Sequence, residues 1–282
     1  MQPTILCAVD DFCIKLQALV DEAGQDASIV ACPADDDEPS AASARFLLGA
    51  YLILNTGAKS QDVIQALRGD KVTTPSACEE TTIGSIKIED GWRALEHAHR
   101  LGWLAHPQSD TDAVLDVQEL AHYAQRANGS LHMTVPGKVL FFPTPDHLPD
   151  GLPWADRLDE AGRPVRRFSA RFYAALLADL GVSVVACLSS GSAATARAVE
   201  ERGMAAVDLG LAGDGSSLLR GLDALLSLAR AAPGAVAVQC GRGGEAPGYV
   251  GRLMAAFLIS ESGFEEASAV AWLGLASPWM RV

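Results

Sequence analysis

Residues 235–248 read AVAVQCGRGGEAPG, an apolar run that ends at a cysteine and passes into a glycine-rich loop. The apolar run predicts a buried strand, and a helix is predicted from about residue 251. Loops that join a strand to a helix can bind anions, because backbone N–H groups converge there and the helix N-terminus adds a partial positive charge. A cysteine in that field is expected to have a lowered pKa and to act as a thiolate nucleophile. The stretch therefore predicts a phosphate-binding loop around Cys240.

Other loop types fit these residues less well. A Walker A loop needs a Gly-Lys-Ser/Thr sequence, which does not follow here. Gly241, Gly243 and Ala246 fit the dinucleotide pattern Gly-x-Gly-x-x-Gly/Ala only weakly, and too little chain remains for a strand with a ribose-binding acid. A plain strand-to-helix turn with a buried cysteine stays open as the structural alternative.

The chain on the amino-terminal side of this loop alternates between two kinds of pattern. Apolar runs predict strands at 139–142, 182–188 and 205–209. Helical periodicity and stop signals predict helices at 168–180, 193–202 and 216–231. This alternation is typical of an α/β fold with a mostly parallel central sheet flanked by helices on both faces.

Residues 1–131 follow a different pattern and are predicted to form a mainly helical amino-terminal domain. A polar, acidic loop is predicted at 31–43, followed by helices at 45–54, 60–68 and 86–103. The second domain is predicted to span residues 132–282 and to carry the Cys240 loop.

Composition narrows the class of partner. The formal net charge of −13 argues against nucleic-acid and anionic-membrane binding and leaves room for basic partners, and proteins are the expected partner class. No apolar run is long enough to span a membrane, no signal peptide is expected, and the six scattered cysteines favour a reducing compartment. The cysteine and histidine spacings indicate no metal site, and we expect no metal and no cofactor.

Three stretches together carry a resemblance to a known family. Residues 46–51 read FLLGAY and are followed by a helix ending QAL at 65–67. Residues 115–138 contain LDV, HY, NG and VPGK in that order, and the run AVAVQC at 235–240 is followed by GF and AW. From about residue 44 to residue 275 the chain resembles the Cdc-fourteen (cell division cycle fourteen) family of dual-specificity protein-tyrosine phosphatases. The resemblance implies a cysteine-phosphatase fold, preceded by a non-catalytic, phosphatase-like amino-terminal domain.

The resemblance also implies a metal-free mechanism and assigns roles to residues. Cys240 matches the nucleophile, and Asp214 matches the general acid, with Asp208 as a nearby rival in a predicted strand. The phosphate loop is formed by Gly241, Arg242, Gly243, Gly244, Glu245 and Ala246.

This chain departs from the family at the positions that grip phosphate. The family's clamp arginine falls at Ala246, or at Tyr249 if the loop holds an insertion, and the histidine before the family's cysteine is Gln239 here. Glu245 adds a negative charge that repels a phosphate dianion, and Arg242 and Arg252 are the available substitutes for the clamp.

The leading hypothesis from these residues is a pseudophosphatase that acts as a protein-binding or scaffolding module. Through the resemblance it is expected in the cytoplasm, in a cytoskeletal, axonemal or ciliary assembly, with the nucleus as the alternative. An active cysteine phosphatase, with Cys240 as nucleophile and Asp214 as acid, and a module that binds phosphoproteins without cleaving them both stay open.

Overall fold

The computed structural model describes residues 5–23, 28, 30, 38–67, 82–83, 86–104, 115–158, 162–188, 193–210, 217–240 and 246–277. Within these residues the chain forms ten α-helices: α1 Ile5–Ala23, α2 Glu38–Thr56, α3 Ser60–Leu67, α4 Ile88–Arg100, α5 Val117–Ala124, α6 Ala170–Asp179, α7 Ala193–Glu200, α8 Ser217–Ala231, α9 Ala246–Ser262 and α10 Glu266–Ala276. The described strands are β1 Thr82–Ile83, β2 Ile86–Lys87, β3 His132–Val135, β4 Val139–Pro143, β5 Trp154–Leu158, β6 Pro164–Phe168, β7 Val182–Cys187, β8 Ala205–Asp208 and β9 Ala235–Cys240.

The chain divides into two compact units that differ from the predicted domains. One unit comprises Gln118–Gly263, and the other combines Gln2–Val117 with Phe264–Pro278. The division therefore falls near residue 117 instead of 131. The carboxyl-terminal helix α10 belongs with the amino-terminal elements, because Trp272 packs against Trp103 with ring centroids 5.3 Å apart.

The unit Gln118–Gly263 is built on a five-stranded sheet in the order β3-β4-β9-β7-β8. Strand β3 pairs antiparallel with β4, and the three other pairings are parallel. All six residues of β9 are buried, as expected for a central strand with both faces covered. The predicted α/β architecture with a mostly parallel sheet is confirmed.

Alternation along the strands divides the core of this unit into two faces. One face carries Ala235 and Ala237 of β9 and packs against α6 and α7 through Tyr173, Leu177 and Val199. By the same alternation Val236, Val238 and Cys240 point to the opposite face.

The unit made from Gln2–Val117 and Phe264–Pro278 contains helices and the short β1–β2 pair among its described residues. Helices α2 and α4 approach closely at Gly49, whose missing side chain leaves room for the indole of Trp92. That indole is fully buried and donates its Nε1–H to the carbonyl of Phe46 at 3.0 Å. A phosphatase-like identity of these helices stays a prediction.

The predicted polar loop at 31–43 is wrong for its last six residues. Residues 31–37 lie outside the described residues, but α2 already begins at Glu38. Proline is compatible with the first turn of a helix, because the backbone hydrogen that it lacks has no partner there, so Pro39 does not require a loop. Among the described residues, no helix has both the length and the apolar character needed to cross a bilayer.

Burial of His132 makes the stability of this fold depend on pH. The ring lies in β3 with 6% of the residue exposed, and burial lowers its pKa from 6.5 to about 3. Between pH 6.5 and pH 3, His132 is therefore protonated in the unfolded chain and neutral in the folded chain. The free energy of unfolding falls as the pH falls through this range. Between pH 7 and pH 5 this histidine is expected to remove about 2 kcal/mol of unfolding free energy.

Urea unfolding at the two pH values tests this expectation. Between pH 7 and pH 5, the free energy of unfolding of His132→Gln is expected to fall by about 2 kcal/mol less than that of the wild type. The exposed His147, changed to Gln, provides the matched control and is expected to leave the pH dependence unchanged. Equal losses in the wild type and His132→Gln would contradict the assignment.

Candidate functional site

The candidate site lies where four parallel strands end at the same edge of the sheet. Strands β4, β9, β7 and β8 finish there at Pro143, Cys240, Cys187 and Asp208. Strand β9 lies between β4 and β7, two strands that precede it in the sequence, so chain order and spatial order change at this point. Ligands of open α/β sheets bind at the carboxyl ends of strands at such a switch point. The fold therefore places Cys240 where a ligand site is expected.

The backbone of Cys240 is held by the residue that follows β4. Both the backbone N–H and the hydroxyl of Thr144 donate to the carbonyl oxygen of Cys240, each at 2.9 Å. Two donors on one carbonyl fix the end of β9 at the start of the loop. Sequence reasoning missed Thr144, although its position directly after a predicted strand beside the Cys240 strand was a usable signal.

The thiol of Cys240 is buried and does not face a cationic cradle formed by described residues. Only 3% of the residue is exposed, and Sγ lies 3.8 Å from the carbonyl oxygen of Val238, two residues back in the same strand. Burial raises the pKa of this thiol well above its usual value. The expectation of a lowered pKa at Cys240 is therefore wrong, because desolvation of the thiolate dominates.

Gln239 connects the three central strands at this edge. Its side chain, with 3% of the residue exposed, donates from Nε2 to Thr144 Oγ1 at 3.3 Å and accepts at Oε1 from Cys187 Sγ at 3.7 Å. Its backbone carbonyl accepts from the N–H of Leu188 at 3.3 Å. A buried amide with its polar atoms paired is a structural link, so Gln239 serves packing here.

Of the two candidate general acids, the structure describes only one. Asp214 lies outside the described residues. Asp208 ends the edge strand β8 and is exposed, and its Oδ1 accepts from the N–H of Gly210 at 2.9 Å. Strand β7 separates β8 from β9, so Asp208 lies roughly 10 Å from the Cys240 strand. Asp208 thus stabilises its own turn, and the structure does not bring it to the thiol.

The predicted phosphate loop is described only at its end. Gly241, Arg242, Gly243, Gly244 and Glu245 lie outside the described residues, and Ala246 is the first residue of α9. Tyr249 and Arg252 therefore both lie within the helix. Arg252 is exposed and follows the helix start by six residues, a rise of about 9 Å, so it is poorly placed to substitute for the clamp.

Among the described residues, no group of three or more histidine, cysteine, aspartate or glutamate side chains could hold a metal ion. The described free cysteines are Cys7, Cys13, Cys187 and Cys240, and all four are buried.

Comparison with known proteins gives one partial similarity. No protein family matches the sequence, and no curated protein matches it. The solved structures that match include human DUSP28, a dual-specificity phosphatase. It is 20% identical with a TM-score of 0.31, and the alignment covers 47% of this chain and 86% of that chain. The similarity thus concerns less than half of the chain, and it assigns neither a family nor an activity.

Proposed function

We propose that this chain is a pseudophosphatase related to the Cdc-fourteen dual-specificity phosphatases, and that it acts as a protein-binding or scaffolding module. One observation carries the proposal. Cys240 ends the central strand at the ligand-binding edge, yet its thiol is buried, and Ala246 opens the following helix at the position of the clamp arginine.

The expected loss of catalysis is large. An arginine fork binds two phosphoryl oxygens, and groups that stabilise transition-state charge commonly contribute about 100- to 1000-fold in rate. The thiolate must also form before it can attack, and each unit by which the thiol pKa lies above the working pH lowers the thiolate fraction by about tenfold. The missing clamp and the raised pKa at Cys240 therefore act in the same direction.

Loss of chemistry with retention of the α/β scaffold favours a binding role. The partners proposed for this module are proteins, phosphoproteins among them, which it would hold without hydrolysing. The resemblance to the Cdc-fourteen family makes a cytoplasmic cytoskeletal, axonemal or ciliary assembly the first place to look, with the nucleus as the alternative.

A turnover assay tests the proposal. Purified protein is incubated with phosphopeptides that carry phosphoserine, phosphothreonine or phosphotyrosine, and with an aryl phosphate, and phosphate release is measured. We expect the wild type and Cys240→Ser to give the same background rate. Turnover that disappears in Cys240→Ser would support the active cysteine phosphatase instead.

A further inference from the structure

Strands β5 and β6 form a hairpin that is a separate two-stranded sheet. The register pairs Trp154 with Phe168 and Leu158 with Pro164. All of β5 except Ala155 is exposed, and Leu158 at the far end is 71% exposed. The base is anchored, because Phe168 is buried with its ring centroid 4.4 Å from that of Phe172, and the Phe168 carbonyl accepts from the N–H of Asp146 at 2.8 Å. Strand β5 therefore offers exposed surface to a partner, whereas Val165, Arg166 and Arg167 of β6 are half-buried.

The hairpin concentrates positive charge on an acidic chain. The hairpin, residues 154–168, contains four arginines, namely Arg157, Arg163, Arg166 and Arg167, and Arg171 follows in α6. It also contains three acids, Asp156, Asp159 and Glu160, so its formal charge is +1 in a chain of net charge −13. The hairpin therefore has the opposite sign to the rest of the chain, and it complements an acidic partner.

On one face of the hairpin, an arginine binds a carboxylate within the chain. Arg166 donates from Nε to Asp156 Oδ1 at 2.9 Å and from Nη2 to Asp156 Oδ2 at 3.2 Å, which makes a bidentate ion pair. Its guanidinium carbon also lies 4.1 Å from the ring centroid of Trp154. Stacking and pairing of this kind orient an arginine side chain on an exposed surface.

The other face presents arginines without such a carboxylate. Arg157 and Arg167 lie on this face, since Arg157 pairs with Val165 and Arg167 pairs with Ala155. Neither forms an ion pair with any side chain in the part of the chain that the structure describes. Their diagonal positions across the two strands place them roughly 7–8 Å apart at the backbone. Alternate residues of an extended chain project to one side at a spacing of about 6.6 Å, which matches that separation.

We propose that the hairpin face bearing Arg157 and Arg167 binds an acidic segment of a partner protein in extended conformation. Carboxylates at alternate positions of the segment would pair with the two guanidinium groups. Long polyanions fit less well, because a nucleic acid or an anionic bilayer would also meet the surrounding negative charge. The proposal names the partner class of the binding module proposed above and rests on it.

Fluorescence anisotropy with a defined probe tests this assignment. The probe is a labelled twelve-residue peptide of alternating Glu and Val, and its twin carries Gln in place of Glu. We expect the full chain to bind the Glu peptide at least about tenfold more tightly than the Gln twin, with affinity that falls as salt rises. Equal affinities, or no binding of the Glu peptide at millimolar protein, would overturn the proposal.

Variants locate the binding face. Arg157→Glu combined with Arg167→Glu is expected to weaken peptide binding at least about tenfold. The milder pair Arg157→Gln and Arg167→Gln, expected to weaken it at least about threefold, covers the case in which charge reversal prevents folding. The matched control reverses the exposed Arg202 and Arg220 on the same unit and is expected to change affinity less than about twofold. Equal losses in the hairpin and control variants would contradict a local site.

Further measurements distinguish a protein partner from other polyanions, and distinguish failure of the hairpin proposal from failure of the pseudophosphatase proposal. If a DNA or RNA twelve-mer, or phosphatidylserine vesicles, bound as tightly as the Glu peptide, that polyanion and not an acidic protein would be the inferred partner. Peptide binding together with turnover that depends on Cys240 would retain the hairpin surface and reject the pseudophosphatase. No binding together with no turnover would reject the hairpin proposal alone.

Discussion

Iodoacetamide is expected to alkylate Cys240 in the folded protein at least about a thousandfold more slowly than in the urea-unfolded chain. Two properties of the folded state cause this protection. The thiol is 3% exposed, and burial raises its pKa, so the reactive thiolate is scarce at neutral pH. Mass spectrometry of the peptide that contains Cys240, sampled over time, measures the rate directly.

The pH dependence of this alkylation distinguishes an inert core cysteine from a nucleophile. A buried thiol with a raised pKa reacts about tenfold faster for each pH unit between pH 6 and pH 8 when it reacts as thiolate. The peptide containing the buried Cys187 serves as the internal control. Rapid alkylation of Cys240 at pH 6 that does not change with pH would indicate a stabilised thiolate and would contradict the pseudophosphatase.

Gly49→Ala is expected to lower the free energy of unfolding of the amino-terminal unit by about 2–4 kcal/mol. A Cβ at this position would overlap the Cε2, Cζ2 and Nε1 atoms of the Trp92 ring. The ring cannot move aside without lengthening its hydrogen bond to the Phe46 carbonyl, which is 3.0 Å in the native fold. The higher helix propensity of alanine offsets at most about 1 kcal/mol. Urea unfolding followed by far-UV circular dichroism provides the measurement.

Two comparisons separate steric overlap from backbone strain. Gly57 has φ of +70°, and no atom lies within 4 Å of an added Cβ. Gly57→Ala is therefore expected to lower the free energy of unfolding by only about 1–2 kcal/mol. In a Trp92→Phe background the smaller ring leaves more room, and the added loss from Gly49→Ala is expected to shrink. An identical loss in both backgrounds would show that the two residues are not coupled.

Continuous apolar runs made the four parallel strands of the central sheet predictable, whereas β3 and the β5–β6 hairpin were missed. Strand β9 is buried along its whole length, so its residues are apolar without interruption, and the same holds for most of β4. Strand β5 is exposed on both faces, and β6 contains adjacent arginines, so neither strand shows an alternation of apolar and polar residues. The hairpin is fixed by its cross-strand pairing and its anchored base, which a local pattern does not reveal.

The candidate site was predictable in position but not in its electrostatics. The sequence places Cys240 at the end of a strand, and the structure confirms that placement. Whether the helix terminus or burial controls the thiol depends on atoms that surround it in three dimensions, and desolvation dominates there. That alanine stands at position 246, where the resemblance implies a clamp arginine, was visible from the sequence. The links between Thr144, Gln239 and Cys187 needed the parallel pairing of three strands.

The division of the chain into a contiguous unit and one assembled from two separate segments has a consequence for biosynthesis. Gln118–Gly263 leaves the ribosome as one stretch and can fold while translation continues. The amino-terminal helices must wait, because Trp272, which packs against Trp103, is made about 170 residues later. Until α10 emerges, apolar surface around Trp103 lacks its cover, so nascent chains halted before residue 264 are expected to be prone to aggregation.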